Sequence, residues 1–142
     1  MRKINFLIGI LIILAGGLAG TAAAAPSISF DPVTVTLASG STAQVKVILD
    51  EAPQGLAGYK LTIGYPSATV TITDATFPTW GSSMNMKTPV KGGYMITAVD
   101  LNKQVQSGSR GILLGTVTLK GISAGSATLP ISDIQMNDDT DA

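Results

Sequence analysis

Residues 58–65 have the sequence GYKLTIGY, and this stretch decides the predicted fold. Apolar Leu61 and Ile63 occupy alternate positions within it. Polar Lys60 and Thr62 occupy the positions between them. Successive side chains of a β-strand point to opposite faces, so this alternation predicts a strand with one buried face and one solvated face.

Short runs of alternating Val, Ile, Leu, Tyr and Thr recur along the chain, and Gly, Pro, Ser and Asp separate them. The predicted strands are residues 27–37 with a break at Asp31-Pro32, 42–49, 58–65, 69–77, 93–100, 112–122 and 126–134. Residues 77–92 and 101–111 lack regular alternation. We expect 77–92 to be either a loop over one end of the sandwich or a short excursion that covers a sheet edge, and 101–111 to be an irregular polar stretch. Seven short strands in about 110 residues, with no helical period, predict an all-β fold: a two-sheet antiparallel sandwich.

The strand at residues 112–122 has two predicted faces. Its expected inward set is Leu113, Val117 and Leu119, and its expected outward set is Leu114, Thr116, Thr118 and Lys120. Threonine and lysine on an outer face suit a solvated sheet, and they also suit a flat binding surface.

Residues 1–25 have the three parts of an export signal. Arg2 and Lys3 supply positive charge, and an apolar run follows at residues 6–14. The segment ends in a run of alanines at residues 22–25, within which we expect cleavage. The alternative is a retained anchor, since the uncharged stretch is nearly long enough to span a hydrocarbon layer of about 30 Å.

Cleavage predicts a secreted or cell-surface protein with a mature chain of about 117 residues, enough for one domain. We assign residues 1–25 to a secretory signal peptide, 26–136 to the sandwich, and 137–142 to an acidic tail or truncated linker. No second apolar run of about 18 residues occurs, so we expect no membrane span in the mature chain.

Charge and composition exclude several function classes. Removing Arg2 and Lys3 leaves seven basic residues against nine acidic ones, a net charge of about −2 that argues against nucleic-acid binding. The chain contains no histidine and no cysteine, which removes the usual general base and nucleophilic arrangements. Adjacent Asp50 and Glu51 point in different directions and do not form a catalytic pair, so we predict no enzyme.

Three segments resemble a cohesin domain: LAGYKLTIGYP at residues 56–66, GILLGTVTLKG at 111–121, and AGSATL at 124–129. They lie between an opening strand at residues 33–35 and the acidic end. The resemblance implies a secreted, nine-stranded jelly-roll sandwich that binds a calcium-loaded dockerin or acts as an adhesion module. It also implies that one sheet face makes the contact. The predicted contact residues are Lys60, Thr62, Thr97, Leu114, Thr116 and Thr118.

Two further functions stay open at the level of sequence. Trp80 suits an interface contact or, together with the tyrosines, a sugar-stacking platform of a carbohydrate-binding module. A structural subunit of a surface layer, sheath or fibre is the other alternative, because low charge and abundant threonine favour self-association through strand edges.

The acidic end offers a weak metal site. Asn137, Asp139 and Asp141 carry oxygen ligands at alternate positions, as the first part of a calcium loop does. Ala142 stands where such a loop needs glycine, and no bidentate glutamate follows in this sequence. We therefore expect no cofactor beyond weak calcium binding, with a solvated tail as the alternative.

Overall fold

The computed structural model describes residues 7–11 and 26–140. This part of the chain contains strands β1 (Leu7–Leu11), β2 (Ile28–Asp31), β3 (Thr34–Ala38), β4 (Thr42–Ala52), β5 (Gly58–Gly64), β6 (Val70–Thr76), β7 (Asn85–Val90), β8 (Gly93–Val99), β9 (Ser109–Gly121), β10 (Gly125–Thr128) and β11 (Ile131–Asn137), and one short 3₁₀ helix, η1 (Thr79–Gly81). Within it, no helix has the length and apolarity needed to cross a membrane.

Two four-stranded antiparallel sheets form the body of the domain. The β5 sheet has the strand order β11-β5-β8-β7, and the β9 sheet has the order β2-β4-β9-β6. The predicted all-β, two-sheet antiparallel sandwich is therefore confirmed.

The core lies between these sheets and is made mostly of the alternate side chains that the sequence predicts, with Leu114 as an exception. Leu61 and Ile63 of β5 are fully buried, and so are Val117 and Leu119 of β9. The largest side chains with almost no exposure are Leu61, Ile63, Ile96, Leu114, Leu119, Leu129, Val45, Val47, Val70 and Val117. Removing apolar area from water contributes about 25 cal/mol per Å², so this layer is the main stabilising element.

The structure decides one open alternative and corrects one predicted strand. Residues 77–92 contain η1 and the edge strand β7, which pairs with β8, so they form an excursion at a sheet edge and not a loop over the end of the sandwich. Residues 126–134 are not one strand, because the chain breaks at Leu129-Pro130 and β11 joins the β5 sheet. Proline lacks an amide donor and fixes φ, which suits a change of direction between two sheets.

A β-bulge in β9 changes which side chains point inward. Val47 of β4 pairs with Gly115, but the next residue, Ile48, pairs with Leu113, so Leu114 has no partner in this ladder. The extra residue shifts the alternation, and Leu114 is fully buried. The expectation that Leu113 points inward and Leu114 outward is wrong for this reason.

Two aromatic donors satisfy the carbonyl groups at the bulge. The Tyr59 hydroxyl, from the opposite sheet, donates a hydrogen bond to the Leu114 carbonyl oxygen. The Trp80 indole Nε1 donates to the Leu113 carbonyl oxygen at 2.9 Å. The two rings pack edge to face with centroids 6.0 Å apart. These bonds tie both β5 and η1 to the irregular part of β9.

A third, smaller sheet has the order β10-β1-β3, and its central strand lies inside the predicted signal peptide. β1 runs parallel to β10 and antiparallel to β3. β3 and β10 have no other ladder partner in residues 7–11 and 26–140. Signal cleavage, which stays a prediction, would therefore remove the strand that joins them.

Replacing Tyr59→Phe should lower the free energy of unfolding by about 1–3 kcal/mol at pH 7, because it leaves the buried Leu114 carbonyl without its donor. Burial also raises the pKa of Tyr59 well above its ordinary value near 10. The unfolded tyrosine ionises above pH 10 while the folded one stays neutral. The contribution of Tyr59 to the free energy of unfolding is therefore full below pH 10 and declines above it.

Urea unfolding at pH 7 and pH 11 checks this prediction. The difference in free energy of unfolding between wild type and Tyr59→Phe should be smaller at pH 11 than at pH 7. Tyr65→Phe, at a half-buried tyrosine, is the matched control, and its free energy of unfolding should equal that of wild type at both pH values. An equal difference between wild type and Tyr59→Phe at both pH values would contradict the assigned burial.

Amide hydrogen exchange compares the uncleaved chain with the processed one. Residues 34–38 and 125–128 should exchange faster after residues 1–25 are removed, because β1 is their ladder partner. Amides of β4 and β9, which pair with each other, serve as the internal control and should not change. Equal protection in both forms would show that β1 is not needed for these strands.

Candidate partner-binding face

The predicted contact residues divide between the two sheets. Lys60 and Thr62 lie in β5, and Thr97 lies opposite Lys60 in β8, so these three share one outer face. Thr116 and Thr118 lie in β9, on the opposite side of the sandwich. Leu114 is buried and faces no partner. The prediction of one continuous face is wrong, because strand 112–122 belongs to the other sheet and carries a bulge.

The outer surface of the β5 sheet, here called the β5 face, is built from two transverse rows of side chains. One row is Gln135, Lys60, Thr97 and Met86, and the other is Ser132, Thr62, Met95 and Thr88. Each row crosses all four strands. β5, β8 and β7 contribute alternate positions to the same side, and a register shift in β11 places Ser132 and Gln135, three residues apart, opposite Thr62 and Lys60. The face therefore mixes apolar and polar side chains, with Lys60 as its central charge.

Apolar exposure is concentrated on the β5 sheet. Met86 and Val90 of β7 are 54% and 38% exposed, and Met84, just before β7, is 52% exposed. Ile134 in β11 is exposed as well. In the part of the chain that the structure describes, no strand of the β9 sheet carries an exposed large apolar side chain, and the other exposed ones, Val33, Leu101 and Ile122, lie in the connections between strands. The two outer faces thus differ in chemistry.

Sequence reasoning missed the methionines of the β5 face. Residues 84–90, MNMKTPV, have Met84, Met86 and Val90 at alternate positions, which is a strand pattern. Thr88 interrupts the apolar positions and Pro89 interrupts the polar ones, so the sequence alone leaves open whether this stretch is a loop or an excursion at a sheet edge. Methionine is flexible and polarizable, so it adapts to the shape of a partner and is enriched in interfaces.

The outer surface of the β9 sheet is polar. Thr42, Gln44 and Lys46 of β4 stand opposite Lys120, Thr118 and Thr116 of β9. These positions are exposed or half-buried, and their hydroxyl, amide and ammonium groups are well hydrated. Such a surface is typical of the solvated side of a sandwich.

An ion pair closes one edge of the sandwich beside the β5 face. Lys87 in edge strand β7 donates a hydrogen bond to Asp74 in edge strand β6 and another, at 2.8 Å, to the Ala75 carbonyl oxygen. The Lys87 hydrogen bond lowers the pKa of Asp74, and the Asp74 hydrogen bond raises the pKa of Lys87. Both groups are exposed, so the pair orients β7 more than it stabilises the fold.

The centre of the β5 face is fixed by a hydrogen bond within the sheet. The Thr97 hydroxyl donates to the Tyr59 carbonyl oxygen at 2.6 Å, which sets the orientation of that side chain. Beside it, an open depression runs between β5, β11 and the β7–β8 turn. Its polar lining includes Lys60, Lys91, Asp133 and Gln135. The face therefore offers a preformed shape to a partner.

Trp80 does not form part of an exposed site. It is 8% exposed, its indole nitrogen is occupied by Leu113, and its ring packs on Tyr59. Tyr59 and Tyr94 are buried as well. The predicted sugar or interface contact at Trp80 does not fit this position, because a ring inside the core cannot stack on a ligand.

Comparison with solved structures identifies the architecture. The sixth cohesin of scaffoldin B from Acetivibrio cellulolyticus aligns with a TM-score of 0.59 at 16% identity, over 72% of this chain and 79% of that one. A cohesin from Clostridium acetobutylicum gives 0.59 at 17%, over 72% and 73%. The OlpC cohesin of Clostridium thermocellum gives 0.58 at 10%, over 97% and 85%. This chain has the cohesin fold.

Sequence comparison adds no family assignment. No protein-family model matches the chain, and no curated protein matches it. The Acetivibrio and OlpC cohesins were solved in complex with dockerins. At 10–17% identity these likenesses establish the cohesin fold alone.

The acidic end of this cohesin-like domain lies beside its loops. The Asn137 carbonyl oxygen accepts a hydrogen bond from Ala57 N, and Asp139 N donates to the Gln54 carbonyl oxygen. Asp141, the third predicted ligand, lies outside the described residues. Among residues 7–11 and 26–140, no three His, Cys, Asp or Glu side chains are grouped as a metal site requires.

Proposed function

We propose that the protein is an exported, non-catalytic module that binds a protein partner of the dockerin type on the β5 face. The observation that carries the proposal is the exposure of Met86 and Val90 on this sheet, with Met84 just before β7 beside them. Exposed apolar side chains that are grouped on one face and surrounded by polar residues mark protein interaction sites. The cohesin fold supports the dockerin class, because related folds were solved with dockerins.

The chemistry of the face suggests how such a partner binds. Met86 and Met95 supply adaptable apolar contact area, and Thr62 and Thr97 supply small polar groups between them. Lys60 adds one positive charge near the centre. A partner with an apolar ridge and an acidic group would complement this surface. A few central residues are expected to carry most of the binding free energy.

The alternatives have less support. A carbohydrate platform needs exposed rings, and the rings of Tyr59, Trp80 and Tyr94 are buried. A catalytic role needs a general base or a carboxylate pair, and the chain has no histidine. Self-association through β3 and β10 needs β1 to leave its place between them, so it would apply only to the processed chain, from which the proposed cleavage removes β1.

The export part of the proposal rests on the N-terminal sequence. The positive start, apolar run and alanine run of residues 1–25 support a cleaved signal and a secreted or cell-surface location. The absence of cysteine does not oppose it, because the buried core supplies stability without disulfides.

Met86→Glu should weaken binding of a dockerin by about tenfold or more, because it places an unpaired charge in a desolvated apolar contact. Thr118→Glu, on the opposite sheet, is the matched control and should leave the affinity unchanged. Surface plasmon resonance against a panel of dockerins in calcium provides the measurement. If no dockerin binds the wild type, the dockerin class is wrong. An equal loss in both variants would place the contact elsewhere.

Export is checked by expressing the full chain in a secreting host and measuring the intact mass of the extracellular protein. We expect a chain that begins at residue 24 or 25, after cleavage within the alanine run. A cell-bound product that retains residues 1–25 would support the anchor alternative instead.

A further inference from the structure

Asp100 is a buried carboxylate with one unsatisfied oxygen. It follows β8 and is 6% exposed. Its Oδ2 accepts a hydrogen bond from Val105 N at 2.7 Å, but Oδ1 has no hydrogen-bond partner among the described residues. Burying a carboxylate oxygen without a donor or a cation is costly, so its position calls for a ligand.

The fold brings the acidic end to this carboxylate. Asp100 N donates to the Ala57 carbonyl oxygen at 2.8 Å, and Ala57 N donates to the Asn137 carbonyl oxygen at 2.7 Å. The segment that leads to Asp139 therefore lies against the same loop as Asp100. One open pocket is lined by Asp100, Asp138 and Asp139 together with Lys103.

Gly55 lets the acidic end approach closely. A Cβ atom at this position would lie 2.2 Å from Asp139 Oδ2 and 3.0 Å from the Val105 carbonyl oxygen. Only glycine leaves this space, and its φ of +77° also favours glycine. As a result Asp139 Oδ2 and the Val105 carbonyl oxygen both lie beside Gly55. The amide of the same Val105 donates to Asp100.

We propose that Asp100 and Asp139 bind a divalent cation of the calcium type, with main-chain carbonyl oxygens completing the coordination. Calcium prefers oxygen ligands and tolerates irregular geometry, whereas the softer metals need the imidazole or thiolate groups that this chain lacks. Asp138 accepts hydrogen bonds from the Thr140 amide and hydroxyl, which orders the segment that carries Asp139.

Two carboxylates with main-chain oxygens make a weak site. Extracellular modules bind calcium with dissociation constants of about 0.1–1 mM, and we expect this range here. Asp100 and Asp139 together carry more charge than the single ammonium of Lys103 that lines the same pocket, so this pair attracts a divalent cation. The competing arrangement is an internal one, in which Lys103 alone neutralises Asp100.

Calcium titration of the purified protein, obtained by expressing the full chain, tests the site without any protein partner. Isothermal titration calorimetry and thermal unfolding are measured in CaCl₂, in MgCl₂ and in EDTA. We expect binding near 0.1–1 mM and a rise in Tm of about 5 °C at 10 mM calcium, with a smaller rise in magnesium. Absence of both calcium effects in the wild type would overturn the proposal.

Variants locate the site. Asp139→Asn, on the half-buried tail, should fold normally and lose at least tenfold in calcium affinity. Asp31→Asn, at the end of β2, is the matched control and should keep wild-type affinity. Lys103→Gln should strengthen calcium binding, because it removes the competing cation. Unchanged calcium affinity in Asp139→Asn would overturn the proposal. A Lys103→Gln protein that unfolds more easily and does not bind calcium would overturn it too, because Lys103 would then be the group that neutralises Asp100.

Discussion

The bulge at Leu114 is the constraint on which the rest of the sandwich depends. It inserts one residue into the central strand β9, so that Leu114 and Val117, three positions apart, both point into the core. The irregular carbonyl groups need donors inside an apolar layer, and the Tyr59 hydroxyl and the Trp80 indole supply them. These are bonds between sheets, so they fix the position of β5 relative to β9 as well as satisfying the backbone.

This arrangement separates the two outer faces by chemistry. With Tyr59 turned inward, its neighbours Lys60 and Thr97 point outward on the β5 sheet, where the methionines of β7 and β8 complete the surface. The β9 sheet exposes threonine, glutamine and lysine side chains. The difference explains why one side of the domain suits a partner and the other suits water. The acidic end, next to Asp100, forms a separate region at the loops.

The sequence predicts the fold class and most strands well, since strict alternation in GYKLTIGY and between Val117 and Leu119 reflects real burial. It fails where geometry depends on other strands. The only local mark of the bulge in GILLGTVT is Gly115, next to the extra residue, and it does not show which side chain turns inward, so the predicted face of Leu114 is wrong. Thr116 and Thr118 belong to the other sheet, which depends on strand pairing that the local sequence does not contain. The burial of Trp80 depends on the Leu113 carbonyl, a contact between distant parts of the chain. Asp100 has no motif at all, because only the folded loops bring it near Asp139.

We propose that a partner meets the β5 face and leaves the β9 face in water. The most direct measurement is a ¹⁵N-labelled amide titration by NMR with a dockerin as the added partner. We predict that the shifted amides lie in β5, β7, β8 and β11, centred on Lys60, Thr97 and Met86, while the amides of β4 and β6 stay unchanged. Shifts centred on Gln44, Lys46 and Thr118 would contradict the account.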